Sequence, residues 1–164
     1  MSYLLISIGL LIWGLICAIQ DMRRKKINNL LTLGLFFIAL SYIFITGNTL
    51  TQSSIGQAIF GLFLAIALSL PGYITGNMGA ADVKMLSAIA IATNSNYVLI
   101  CFIGAAVSIA IWTLSKPLWP KLPSGVHKAV PLMNPTTGKA LPYAPFLFIG
   151  MLMATLSKAL LTSA

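Results

Sequence analysis

Acidic residues are almost missing from this chain of 164 residues. It contains no glutamate and two aspartates, Asp21 and Asp82, and charged residues of both signs make up 7% of the sequence. A soluble domain carries roughly 25% charged residues, whereas 59% of the residues here are hydrophobic. This composition excludes an ordinary soluble domain. It predicts an all-α polytopic membrane protein with a single membrane-embedded domain over residues 1–164.

Patterns for metal binding and disulfide pairing are missing as well. The two cysteines, Cys17 and Cys101, lie inside apolar segments without a CxxC spacing, and the single histidine, His127, has no companion ligand. This excludes a zinc knuckle and gives no support to a secreted disulfide scaffold. The sequence therefore predicts neither a metal site nor a cofactor.

Apolar segments long enough to cross a bilayer follow one another along the chain. A spanning helix needs about 20 mostly apolar residues, and one apolar segment is shorter, with eleven residues. We interpret it as a short or partly sunken fourth span, because short connections join it to full-length neighbours. The six predicted spans are residues 3–20, 30–46, 55–75, 83–93, 97–114 and 143–161, and a proline-rich cytoplasmic loop covers residues 115–142.

Basic residues are distributed unevenly over the connections between these spans. Nine of the ten lysines and arginines lie in alternate connections, and four of them form a cluster at residues 23–26. The positive-inside rule places these connections in the cytoplasm, which puts the N-terminus outside. Because the bases adjoin the bilayer, the net charge of +8 indicates anionic lipid headgroups as partners and not nucleic acid.

Both aspartates fall at the predicted cytoplasmic boundary. Asp21 ends the first span and Asp82 begins the fourth, so the two carboxylates lie at similar depth and can converge. Each has a purely structural interpretation: Asp82 suits a helix N-terminus, and Asp21 adjoins the basic cluster. Neither interpretation explains why acids are excluded elsewhere, and ionisable groups at membrane depth are candidate functional residues.

A pair of carboxylates without a nucleophilic serine or cysteine constellation indicates aspartyl-type hydrolysis. Two close carboxylates share a proton, because both cannot ionise easily. The ionised one takes a proton from water while the protonated one hydrogen-bonds the scissile carbonyl. Which aspartate is the base stays open at this point.

Two other functions are compatible with the sequence. A small ion transporter or proton-coupled transporter would bind cations or relay protons at the aspartate pair, although no repeat or discontinuous-helix pattern favours it. A non-catalytic scaffold subunit of a secretion or pilus machine would tolerate asparagine at both positions. Substrate cleavage distinguishes the hydrolase from both alternatives.

Three motifs resemble those of the type IV prepilin peptidases, which are GxGD aspartyl membrane proteases. Residues 78–84, MGAADVK, are similar to the GxGD-x-K signature of that family. Asp21 followed by residues 27–29, Ile-Asn-Asn, is similar to the first-aspartate motif, in which Ile-Pro-Asn follows. Residues 141–145, LPYAP, resemble the start of the last span.

This resemblance implies a membrane aspartyl endopeptidase that removes the basic leader from prepilins or pseudopilins at the cytoplasmic side of the inner membrane. It implies Asp21 and Asp82 as the catalytic pair. Residues that bind substrate or shape the site would be Gly79, Ala81, Lys84 and Asn29. Because the N-terminal region of the long members, with its paired CxxC motifs and methyltransferase activity, is not found, the resemblance implies a peptidase only. It is similar to the short enzymes of Flp (Tad-type) pilus systems.

Two positions depart from the family's motifs. Ala81 replaces the second glycine of GxGD, and we expect strain there if the backbone needs a positive φ. Asn28 replaces the proline of Ile-Pro-Asn, and we expect a looser turn into the second helix. Lys84 lies about 200° around a helix from Asp82, so we expect it to anchor at lipid headgroups and not to pair with that carboxylate.

Overall fold

Six helices form most of the structure, in the order predicted from the apolar segments. The computed structural model describes residues 2–121, 125, 131–133 and 141–163. The helices are α1 (Ser2–Arg24), α2 (Asn29–Thr46), α3 (Ile55–Ile74), α4 (Ala80–Ala92), α5 (Ser95–Leu114) and α6 (Ala144–Ser163). Two 3₁₀ turns, Lys116–Lys121 and Pro131–Met133, lie between α5 and α6. Most of the predicted loop at 115–142, including His127, lies outside the described residues.

Four of the helices are long and apolar enough to cross a membrane. They contain the segments Leu5–Arg24, Asn29–Thr46, Ile55–Ile74 and Ser95–Leu114. The apolar part of α6, Ala144–Leu160, is shorter, and the 13 residues of α4 extend about 20 Å, less than the hydrocarbon core of about 30 Å. The all-helical polytopic fold is thus confirmed, whereas six crossings and an outside N-terminus stay predictions.

The short helix α4 lies inside the bundle. Eight of its 13 residues are buried, and it packs mainly against α2 and α3, with smaller contacts to α5 and α6. The surrounding helices expose large apolar side chains such as Phe44, Phe63 and Ile111, as expected of helices in lipid. Other helices therefore surround most of α4. For this reason its apolar residues are not confined to one face of the helix.

Helices α5 and α6 approach each other closely through small residues. A Cβ atom on Gly150 would overlap the carbonyl of Cys101, and one on Gly104 would lie 2.8 Å from the Gly150 Cα. Small residues at helix contacts allow such backbone approach in membranes. The Tyr97 hydroxyl adds contacts of 3.2 Å to the Met151 carbonyl and 3.0 Å to the Thr155 hydroxyl. This contact fixes the position of α6, whose N-terminus belongs to the site.

The turn between α1 and α2 is ordered by hydrogen bonds. Asn28 is the N-cap of α2, and its Oδ1 accepts the N–H of Leu30 at 2.9 Å. The Asn28 N–H in turn donates to Gln20 Oε1 at 3.1 Å. Asparagine here supplies a cap that a proline side chain lacks, and the looser turn expected from the loss of proline stays a prediction.

Candidate active site

Asp21 lies in the last turn of α1, and its carboxylate faces the N-terminus of α6. Its Oδ2 accepts the N–H of Ala144 at 3.0 Å, and the N–H of Tyr143 also interacts with this carboxylate. Ala144 is the first residue of α6, where backbone N–H groups have no partner within the helix. A carboxylate is unfavourable at the C-terminus of its own helix. The positive end of α6 offsets that cost here.

Asp82 lies in the first turn of α4, three residues after the N-cap Gly79. Its Oδ2 accepts the Gly79 N–H at 3.0 Å. Its Oδ1 is buried and has no hydrogen-bond partner in the part of the chain that the structure describes. A role of Asp82 as the N-terminal cap of α4 therefore accounts for Oδ2 but not for Oδ1.

The two carboxylates line one cavity of about 170 Å³. Both side chains are 6% exposed, so each is largely shielded while remaining at the cavity wall. The other polar or flexible parts of the wall come from the end of α1, the turn before α4 and the segment before α6, namely Lys25, Asn77, Gly79 and Tyr143. Three separate parts of the sequence thus meet around the aspartate pair.

Electrostatics at the site favour one shared proton. Burial raises the pKa of Asp82 from 3.8 to about 7, and the nearby Asp21 charge contributes to this rise, while the Gly79 N–H opposes it. Asp82 lies outside the four long apolar segments. Since interacting carboxylates titrate as a pair, the pair retains a proton close to neutral pH.

Gly79 lines the cavity, whereas Ala81 does not. A Cβ on Gly79 would lie 3.2 Å from Asp82 Oδ2, so the absence of a side chain leaves room for the carboxylate. Ala81 is a helical residue of α4 that packs against the core. In the described ranges, the non-glycine residues with positive φ are Lys25 and Gln52. Ala81 has no positive φ because this position belongs to the helix and not to a turn, so the condition under which strain is expected is not met.

Lys84 and Asn29 contact each other and do not line the cavity. The Lys84 Nζ donates to Asn29 Oδ1 at 3.0 Å, which links α4 to the start of α2. Lys84 is half-buried. This contact agrees with the prediction that Lys84 does not pair with Asp82, and its anchoring at lipid headgroups stays a prediction.

Sequence reasoning missed three groups at the site. The backbone N–H groups of Tyr143 and Ala144 were not recognisable as donors, although they belong to the motif at residues 141–145. Lys25 was interpreted only as a topology determinant. Its left-handed backbone, with φ of 49°, ends α1, and its charge acts on Asp21. Among the four clustered bases at residues 23–26, Lys25 differs from the others in the left-handed conformation of its backbone at this turn.

The aspartate pair is not part of a wider cluster of potential metal ligands. Among the described residues, no three His, Cys, Asp or Glu side chains group together.

A protein-family model matches the part of the chain that contains both aspartates. The model of the type IV leader peptidase family matches residues 8–114, a range that includes Asp21, Asp82 and the helices from most of α1 to α5. Comparison with curated proteins gave no match, and comparison with solved structures gave none either.

Proposed function

The chain belongs to the type IV leader peptidase family, and from this premise we propose that it is a membrane aspartyl endopeptidase acting on prepilins or pseudopilins. The observation that carries the proposal is the meeting of Asp21 and Asp82, the two carboxylate side chains of the sequence, at one cavity. The motif resemblance suggests Flp (Tad-type) prepilins as the first substrates to test. The proposal includes peptidase activity only.

The proposed reaction is hydrolysis of one peptide bond by water. The ionised carboxylate takes a proton from a water molecule in the cavity as its oxygen attacks the carbonyl carbon. The protonated carboxyl donates a hydrogen bond to the carbonyl oxygen, which stabilises the charge that develops there. The tetrahedral intermediate then collapses, the C–N bond breaks, and the leaving nitrogen receives the proton taken from water.

The site's position fits a substrate whose leader is polar and whose following segment is an apolar helix. In the proposed topology, the end of α1 and the start of α4 face the cytoplasm, so water and the basic leader reach the cavity from that side. The apolar helix of the substrate stays in the lipid. The cleaved bond then lies at the membrane boundary, next to the aspartate pair.

The test is cleavage of a tagged prepilin from the same genome, co-expressed with this chain. Loss of the leader is followed by gel shift, and mass spectrometry fixes the cleaved bond. The variants are Asp21→Asn and Asp82→Asn, whose amide oxygens can still accept the N–H groups of Ala144 and Gly79. Asn96→Ala, an exposed residue on α5, is the control for expression and insertion.

We expect cleavage by the wild type and the control and none by either asparagine variant. Cleavage by an asparagine variant at the wild-type rate would contradict the two-aspartate mechanism. If the inserted wild type cleaves none of several candidate prepilins, the proposal fails in favour of an ion or proton-coupled transporter or a scaffold subunit.

A further inference from the structure

We infer that the two aspartates have different roles: Asp21 is the ionised general base, and Asp82 carries the shared proton and donates it in a hydrogen bond to the scissile carbonyl. The catalytic meaning of this assignment rests on the proposed function. The location of the proton on Asp82 does not rest on that function, because it is a property of the protein without substrate.

The surroundings of Asp21 stabilise a negative charge. Burial disfavours ionisation of Asp21, as it does of Asp82, and three groups oppose this effect at Asp21. Its carboxylate accepts the N–H of Ala144 at 3.0 Å and interacts with the N–H of Tyr143 and with the charge of Lys25. Each of these groups is a donor or a cation. Hydrogen bonds to the charged form and a nearby opposite charge both favour ionisation of a carboxyl group.

The surroundings of Asp82 stabilise a protonated acid. Its Oδ2 accepts one N–H, from Gly79, while its buried Oδ1 has no donor among the described residues. A buried anionic oxygen without a partner is costly, whereas a proton on Oδ1 turns it into a donor. Burial raises the pKa of Asp82 to about 7, with a further contribution from the Asp21 charge.

The helix dipoles do not decide between the two residues. Asp21 faces the N-terminus of α6 and Asp82 lies in the first turn of α4, so both carboxylates lie near the positive end of a helix. The two carboxylates differ in the number of N–H donors around them and in the charge of Lys25, which interacts with Asp21. The asymmetry therefore comes from local contacts.

Other titratable groups near the pair do not change which of the two aspartates is ionised. The cavity is also lined by Lys25 and Tyr143, while the described parts of α2, α3 and α5 contribute no lining residue. Cys101 of α5 interacts with Tyr143. Lys84, on α4 itself, donates to Asn29. A tyrosine is neutral at pH 7, so the cation among the residues that line the cavity is Lys25.

The test is infrared spectroscopy of the purified protein in a detergent without carbonyl groups. A protonated carboxyl group has a C=O stretch distinct from that of a carboxylate, and aspartate labelled with ¹³C at the side-chain carboxyl identifies the band by its shift. Because the whole sequence has two acidic side chains, the labelled band has two possible sources. Asp21→Asn and Asp82→Asn separate them.

At about pH 6, one unit below the raised pKa of Asp82, we expect the protonated band in the wild type and its loss as the pH rises through about 7. Asp82→Asn should lack the band at the same pH. Asp21→Asn should keep it, with a lower midpoint because a like charge has been removed. A protonated band in Asp82→Asn, or its absence from the wild type, would overturn the inference.

A second arm tests the N-terminus of α6 as the group that positions Asp21. Ala144→Pro removes the N–H donor at the first helical position, where proline is tolerated, and Ala144→Gly keeps the donor. We expect at least a tenfold loss of cleavage in Ala144→Pro, with the acidic limb of its pH profile moved to higher pH because Asp21 protonates more readily. Ala144→Gly should not move that limb. Equal pH profiles for the two variants would refute this positioning role.

The two proposals fail in different ways. If the infrared result is as expected and no prepilin is cleaved, the proposed function is wrong and the proton position stands. If prepilin is cleaved and the band belongs to Asp21, the function stands and the assignment of base and acid is reversed.

Discussion

At the residue scale, the environment of each aspartate depends on one helix N-terminus. Asp21 is held by the first N–H groups of α6, and Asp82 is held by the N-cap of its own helix. The sequence allowed the second contact to be anticipated, since aspartate is favoured in the first turn of a helix. The first contact could not be anticipated, because it joins residues 123 positions apart.

The pH dependence of cleavage is predicted by the protonation of the pair. The raised pKa of Asp82, about 7, means that the pair holds its shared proton below that pH and loses it above. In the proposed mechanism the singly protonated pair is the active form, so the rate should fall about tenfold per pH unit above about pH 7. The measurement is the initial cleavage rate from pH 5 to 9, with samples returned to pH 6 as the control for inactivation. A rate that keeps rising from pH 7 to 9 would argue against a shared proton.

Gly79→Ala should reduce activity without unfolding the protein. The φ of Gly79 is −80°, which alanine adopts easily, but its Cβ would lie 3.2 Å from Asp82 Oδ2. The carboxylate must shift to relieve this contact, and a loss of roughly tenfold in rate, about 1.4 kcal/mol, is expected. Gly34→Ala is the matched control, because a Cβ there meets nothing within 4 Å. Similar activity in the two variants would show that Asp82 tolerates the shift.

At the element scale, hydropathy predicted where the helices lie better than where they end. The second and third predicted spans agree closely with α2 and α3. Helix α1 continues from the predicted end at residue 20 to Arg24, because arginines near a helix C-terminus are favourable although they are not apolar. Helix α4 begins at Ala80 and not at residue 83, because Asp82 and Gly79 form its N-terminal cap. A search for apolar segments does not detect the polar residues that stabilise helix ends.

Gly150→Ala should destabilise the pair α5–α6 and thereby the site. The added Cβ would overlap the Cys101 carbonyl, so the helices must separate, at a cost of about 1–3 kcal/mol for overpacking. Since α6 holds Asp21 through Ala144, cleavage should fall as well. Thermal unfolding in detergent is the measurement. Gly9→Ala, whose Cβ would meet nothing within 4 Å, is the control, and an unchanged unfolding temperature for Gly150→Ala would contradict the packing described.

At the scale of the whole molecule, the sequence predicts a common membrane depth for the two aspartates but not which helices lie next to them. The order of apolar segments and basic connections predicts that both residues lie at one membrane boundary, and this stays a prediction. Which helices lie side by side depends on small residues such as Gly104 and Gly150, whose contacts appear only in the packed structure. For the same reason, the sequence indicated the two aspartates that line the cavity but not the contact of Asp21 with α6.

The orientation of the molecule is testable by cysteine labelling in intact cells. The native Cys17 and Cys101 are fully buried, so an introduced cysteine should be the main reactive one. Asn96→Cys should react with a membrane-impermeant maleimide added outside, and Lys26→Cys should react only after the cells are permeabilised; both positions are exposed. The reversed result would place the aspartates at the outer face and contradict cleavage from the cytoplasm.

The central claim, that Asp21 and Asp82 act together as one catalytic unit, is tested most directly by a double-mutant cycle. The measurement is the rate at which the purified protein in lipid vesicles removes the leader from a prepilin, for the wild type, Asp21→Asn, Asp82→Asn and the double variant. Residues that act as a unit have strongly non-additive effects. We therefore predict that all three variants fall to the same residual rate. Substantial activity in either single variant, or losses that multiply in the double variant, would contradict a shared dyad.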